Sequence, residues 1–106
     1  MSLDVDLTIR GKNVFEANIT HNLNKMAMAC GVYYACWRPD EINARKAKHI
    51  LPMLKEGVRL LKEHQAFYTQ FNSPNGWGTY KNFLPWLERY AEACEKHPEA
   101  KIWISR

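Results

Sequence analysis

Residues 3–20 read LDVDLTIRGKNVFEANIT, and the fold turns on how this stretch is read. Leu3, Val5, Leu7 and Ile9 alternate with Asp4, Asp6 and Thr8. A period of two sends alternate side chains to opposite faces of an extended chain, so this is a strand with one face buried. Gly11, Lys12 and Asn13 are a turn signal. Residues 14–20 alternate again, with Phe15, Ala17 and Ile19 on one face. Two such runs around a short turn predict an antiparallel hairpin.

Beyond the hairpin the period changes. Leu23, Met26, Ala27, Cys30, Tyr34 and Trp37 recur at spacings of three and four, which predicts one amphipathic helix. Thr20 or Asn22 can cap it, Gly31 weakens its middle, and Pro39 ends it. Asp40 is a good N-cap for the next helix, with Ile50, Leu51, Leu54, Val58 and Leu61 as its inner stripe. Pro52 requires a kink there or a second start near His49. A short helical turn follows over residues 65–71. Phe83, Trp86, Leu87, Tyr90 and Cys94 predict a further helix, with Pro85 near its start and His97-Pro98 at its end. Residues 100–106 read as a last strand, with Ile102 and Ile104 on one face and Trp103 on the other.

These elements predict a single α+β domain over residues 1–106. Its sheet has three strands, antiparallel or mixed, built from the hairpin and the C-terminal strand. Three to four helices cover one face. The last strand must join the hairpin, because a lone strand leaves its backbone groups unpaired.

Composition sets outer limits. The chain has 106 residues, 46% hydrophobic and 25% charged, with a net charge of +4, as expected for one globular domain. No apolar run approaches the roughly 18 residues of a membrane helix. The acidic, alternating first residues read as strand rather than leader. Cys30, Cys36 and Cys94 read as buried thiols of a reducing cytoplasm. His21, His49, His64 and His97 are scattered and form no metal-ligand pair, so no metal and no cofactor is expected.

Four features are candidates for function. The first is NSPNGWGTYKNF, residues 72–83. Asn75, Gly76 and Gly78 favour positive φ, and Gly78 or Thr79 opens a helix whose first amides suit an anion. Trp77 beside it can stack on a base, or else the turn is structural and Trp77 plugs the sheet edge or core. The second is NITHN, residues 18–22, where Asn18, Thr20, His21 and Asn22 gather at another helix start. Capping accounts for one or two of these four. The third is a basic stripe of Arg45, Lys48, Lys55, Arg59 and Lys62, either a track for phosphates or a solvated helix face. The fourth is Asp4, Asp6 and Glu16 on one sheet face. Tyr33, Tyr68, Trp77, Tyr80 and Trp103 lie outside the helical stripes and are expected to line a pocket or an oligomer surface.

EANITHNLNKMA (residues 16–27), NGWGTY (75–80), LERYAEACEKHPEA (87–100) and ISR (104–106) resemble a family of short phage and prophage proteins along nearly the whole chain. A proline inside the second long helix is matched by Pro52. The resemblance implies an accessory phage protein acting in the cytoplasm of the infected bacterial host, and for such proteins counter-defence is a common role. One expectation is a sponge that sequesters a small anionic, nucleotide-like immune signal without catalysis. Asn18, Thr20, His21, Asn22, Asn75, Gly76, Trp77, Gly78, Thr79 and Arg106 would form its pocket, in a possible homo-oligomer. The alternative is a protein-binding inhibitor of a host defence enzyme, anti-CRISPR-like, that docks through Trp77 and the basic stripe. A small hydrolase using His21 would need a partner nucleophile, and the sequence marks none, so no catalytic residue is expected.

Overall fold

The structure, a computed structural model, describes residues 2–106. The hairpin forms as β1 (Ser2–Ile9) and β2 (Lys12–Thr20). Its turn is Arg10 and Gly11, with φ of 53° and 79°, one residue earlier than the sequence signal. Two successive positive φ values match the twist of antiparallel strands. Pairing starts with Ile9 opposite Lys12 and Thr8 opposite Asn13, then shifts so that Leu7 faces Phe15. Val14 is the extra residue of that bulge. The shift sets the far end of the hairpin, bringing Asp4 opposite Asn18 and Ser2 opposite Thr20.

The C-terminal strand, β3 (Lys101–Ser105), pairs antiparallel with β1. The sheet is therefore antiparallel throughout, in the order β2-β1-β3, and the chain is an α+β fold. Leu3, Val5 and Leu7 are fully buried under the helices. The opposite face carries Asp4, Asp6, Glu16, Asn18 and Trp103 and faces solvent. One buried face is enough to fix the register, since a slip by one residue would exchange the two sets.

The single helix expected over residues 23–37 is two. A 3-10 turn at His21–Leu23 leads into α1 (Asn24–Ala29), and α2 (Tyr33–Trp37) follows. Gly31 separates them with φ of 85°, a conformation that ends a right-handed helix. The apolar period survives the break, because Leu23, Met26, Ala27, Cys30 and Trp37 are all buried. Tyr34 is not; it is exposed.

Asp40 does not cap the next helix. It lies in a 3-10 turn, Pro39–Ile42, closed by Asn43 in the left-handed region at φ 58°. The helix α3 (Ala47–Glu63) starts later, where His49 Nδ1 accepts the N–H groups of Arg45 and Lys46 at 3.2 Å each. This later start explains Pro52. It is the sixth helical residue, on the exposed side, and the helix runs on through it. Pro85 holds the same place in α5 (Tyr80–Lys96). One backbone bond is lost at each proline, and the freed carbonyl is near water. Between these long helices lies the short α4 (Gln65–Thr69).

α3 and α5 run antiparallel. Lys55 reaches Glu95 at 3.4 Å and Lys62 reaches Glu88 at 2.9 Å, so one sequence number rises as the other falls. α5 also lies under β2, where the rings of Phe15 and Tyr90 stack at 5.7 Å. α3 approaches the α1–α2 connection at Gly57, where an added Cβ would come within 2.3 Å of Val32 Cγ1. Tyr68 and Tyr80, expected at an open surface, are instead core residues. Among the described residues no helix is long and apolar enough to cross a membrane.

Candidate functional site

The two segments singled out in the sequence meet. Asn22 Nδ2 donates to the carbonyl of Trp77 at 2.8 Å, across 55 residues of chain. Gly78 sits against the same junction. A Cβ there would lie 3.0 Å from Asn22 Cβ and 3.3 Å from Thr20 Cγ2, and its φ of 112° already favours glycine. A side chain here would crowd the β2–α1 junction and strain the backbone, so glycine suits the place where the 72–79 turn closes on it.

Local chemistry makes the turn a fixed object. Ser73 N–H donates to Gly78 O at 2.9 Å, and Gly76 N–H to Ser73 O at 3.1 Å. Asn75 Oδ1 accepts from Trp77 N–H at 2.9 Å and from Ser73 Oγ at 2.7 Å. Asn72 Oδ1 accepts from Tyr80 N–H at 2.7 Å and caps α5. The buried Tyr80 hydroxyl donates to Leu61 O at 2.6 Å and ties that first turn to the end of α3. The turn thus has little room to adjust, yet its indole stands in solvent, with Trp77 71% exposed.

A groove of about 530 Å³ lies along this contact. Asn18, Thr20 and Asn22 line one side; Gly76, Trp77 and Gly78 line the other. Ile19, Leu23, Ser2 and Asn82 also line it, and neither Ser2 nor Asn82 is among the expected site residues. Ser2 arrives through the bulge, which places it opposite Thr20. Asn82 arrives because α5 starts at Tyr80, so its third residue faces the groove. A reading that counted the bulge would have found Ser2.

Four expected site residues lie elsewhere or are already engaged. Arg106 is not at this groove. Its guanidinium donates to Trp37 O at 2.8 Å and stands 3.7 Å from Asp40, beside the outer edge of β3. His21 Nδ1 accepts from Trp37 Nε1 at 2.9 Å, so it packs against the core rather than into the groove. Asn75 spends its oxygen inside its own turn. Thr79 is the N-cap residue of α5 but makes no side-chain capping bond and does not line the groove.

The electrostatics also depart from expectation. The helix starts are not open anion cradles: Thr20 Oγ1 accepts from Asn22 N–H at 3.2 Å, and Asn72 covers the α5 start. Among the described residues no Lys or Arg lines the groove. Asn18 Nδ2 is held by Asp4 at 2.6 Å and Ser2 at 3.0 Å. That leaves carboxamide oxygens and the Asn82 amide without a side-chain partner among the described residues, beside an indole. Among the described residues the lining is uncharged, with one indole, and matches a planar ring with polar edges better than a bare phosphate.

The basic stripe is spent in ion pairs. Lys48 bonds Glu99 at 3.0 Å, Lys55 and Lys62 pair with Glu95 and Glu88, and Arg59 lies between Glu56 and Glu63. Only Arg45 of the five has no carboxylate partner among the described residues. Asp4, Asp6 and Glu16 do share the open sheet face. Desolvation, then Glu16, then Asp4 push the Asp6 carboxyl above its ordinary value. Among the described residues no group of three or more His, Cys, Asp or Glu could hold a metal. Cys30, Cys36 and Cys94 are buried free thiols. No family model matches this chain, and neither a curated protein nor a solved structure matches it.

Proposed function

We propose that this chain is a small non-catalytic binding protein, of phage counter-defence type, that sequesters a nucleotide-type ligand in the groove between residues 18–22 and 76–78. The observation that carries the reading is the pairing of a solvent-facing indole, on a hydrogen-bonded turn, with the Asn22 carboxamide oxygen and the Asn82 amide across one groove. A base would stack on Trp77, and its exocyclic donors and acceptors would meet Asn22 and Asn82. The neutral lining suits the nucleoside end of such a ligand. Its phosphates would extend out of the groove into solvent, since no Lys or Arg lines it among the described residues. The lining among the described residues holds no histidine, cysteine or carboxylate, which supports retention without chemistry. Direct inhibition of a host defence protein ranks second, because the stripe meant to dock it is internally neutralised.

A thermal-shift screen with nucleosides, cyclic dinucleotides and ADP-ribose isomers tests this. A ligand at 100 times its Kd raises stability by about 2.7 kcal/mol. Stabilisation by at least one ligand, lost in Trp77→Ala and with the ligand recovered intact, supports the reading. No stabilisation by any of them, or stabilisation unchanged in Trp77→Ala, overturns it.

A further inference from the structure

The outer edge of β3 is only half covered. Residues 45–47 run antiparallel to it and make one bridge, Lys46 opposite Lys101. Ala47 N–H donates to Ala100 O at 2.9 Å, and Ile102 N–H to Arg45 O at 3.0 Å. The ladder should continue with Arg45 N–H to Ile102 O. It does not, because Arg45 N–H turns to His49 Nδ1 and left-handed Asn43 carries the chain away. Ile102 faces outward with its N–H, so by strand alternation Ile104 does too. The Ile102 carbonyl and both backbone groups of Ile104 therefore have no partner among the described residues.

A groove of about 640 Å³ follows this open edge, between β3 and residues 39–46. Its lining is cationic: Arg45, Lys46, Lys101 and Arg106 against the single acid Asp40. Arg45 and Lys101 have no carboxylate partner among the described residues, and Lys46 is held only loosely by Glu99 at 3.7 Å. Ile102 and Ile104 are half-buried on one side of the strand. Trp103, 58% exposed, stands on the other, its Nε1 donating to Thr8 Oγ1 at 2.8 Å.

We infer that this edge binds an extended acidic peptide segment of a partner protein, which adds as a fourth strand where residues 45–47 leave off. Main-chain bonds to Ile102 and Ile104 would supply affinity, and alternate side chains would supply selectivity. Residues on the Ile104 side meet apolar surface near Pro39 and Ala44. Residues on the Trp103 side meet Lys101 and favour carboxylates. A second copy of this edge is a poor occupant, since antiparallel pairing would bring two sets of Arg45, Lys101 and Arg106 together. This site is separate from the Trp77 groove and does not depend on it.

Amide hydrogen exchange of the full chain tests the inference with two synthetic probes, acetyl-Val-Glu-Val-Glu-Val-Glu-amide and its Val-Lys counterpart. The acidic peptide should slow exchange at Ile104 N–H saturably, while the lysine peptide should not. Arg45→Glu with Lys101→Glu should weaken the acidic peptide on the order of tenfold or more. Both positions are exposed, so the thermal melt should stay close to the parent's. An acidic peptide methylated on its backbone nitrogens should lose binding. No protection of Ile104 at millimolar peptide, equal protection by the lysine peptide, or protection through self-association without peptide would overturn it.

Discussion

Asn22 and Trp77 are joined by one hydrogen bond, from the Asn22 carboxamide to the Trp77 carbonyl at 2.8 Å. This contact makes two distant segments one surface. It also fixes the backbone of the residue whose indole faces solvent.

The junction should respond sharply to Gly78. Gly78→Ala places a methyl group 3.0 Å from Asn22 Cβ and imposes a left-handed φ on a residue that resists it. A loss of at least about 1 kcal/mol is expected in a urea melt. Asn22→Ala removes one exposed bond and should cost about 0.5–1.5 kcal/mol. Because the two residues touch, the double variant should cost less than the sum. Additive losses would mean that the segments do not meet as described.

Two tyrosines on α5 should behave oppositely. Tyr80→Phe deletes the buried hydroxyl that bonds Leu61 O and should destabilise by about 1 kcal/mol. Tyr90 is fully buried, and its hydroxyl has no partner among the described residues. Tyr90→Phe relieves an unsatisfied polar group and should be neutral or stabilising by up to about 1 kcal/mol. Thermal melts of both variants compare them directly, and a destabilised Tyr90→Phe would contradict the packing described.

The thiols should be silent until the protein unfolds. Burial pushes Cys30 up to about 11 and Cys94 up to about 12, and it raises Cys36 well above the ordinary thiol value. Since the thiolate is the nucleophile, native protein at pH 8 should react with Ellman's reagent only at the rate of its opening. Three thiols should be released in denaturant. A fast-reacting thiol in the native state would place a cysteine outside the core.

Asp6 carries a pH signature. Its carboxyl is raised by desolvation first, then by Glu16 and Asp4. The native state therefore holds the Asp6 proton to higher pH than the unfolded chain does. Stability contributed by this group falls as pH rises from the ordinary carboxylate value through the raised one, and the penalty then stays constant. Asp6→Asn should stabilise the protein at pH 7, with the gain shrinking on acidification towards pH 3. Chemical melts across that range check the sign; a variant less stable at pH 7 would contradict it.

The sheet and the two long helices were legible because each is written in one period over many residues. Leu3, Val5 and Leu7 alternate, and the stripe of Phe83, Leu87, Tyr90 and Cys94 repeats by threes and fours. Short elements were misread where one residue outweighs the period. Gly31 splits a helix that the apolar spacing joins, because α1 and α2 share one buried face on either side of the break. Asp40 looked like a cap, but Asn43 and His49 move the helix start to Ala47, close to the start near His49 that Pro52 offered as the alternative to a kink. At the groove, the glycine-tryptophan turn and the asparagine junction could be found from residue type. Their convergence could be expected only once the last strand was placed beside β1. Arg106 was misplaced because β3 ends on the far side of β1 from β2, which carries its side chain to Asp40 and Trp37.

The most direct test of the binding account is a nitrogen-15 NMR titration of the full chain. The probes are the ligand with the largest thermal shift and, in parallel, adenosine, ADP-ribose and cyclic dinucleotides. The account predicts that the Trp77 indole N–H, the Asn22 side-chain amide and the Gly78 backbone amide shift together and saturate at one affinity, with the ligand unchanged afterwards. Saturable shifts that bypass these three groups, or none with any of these ligands, would contradict it.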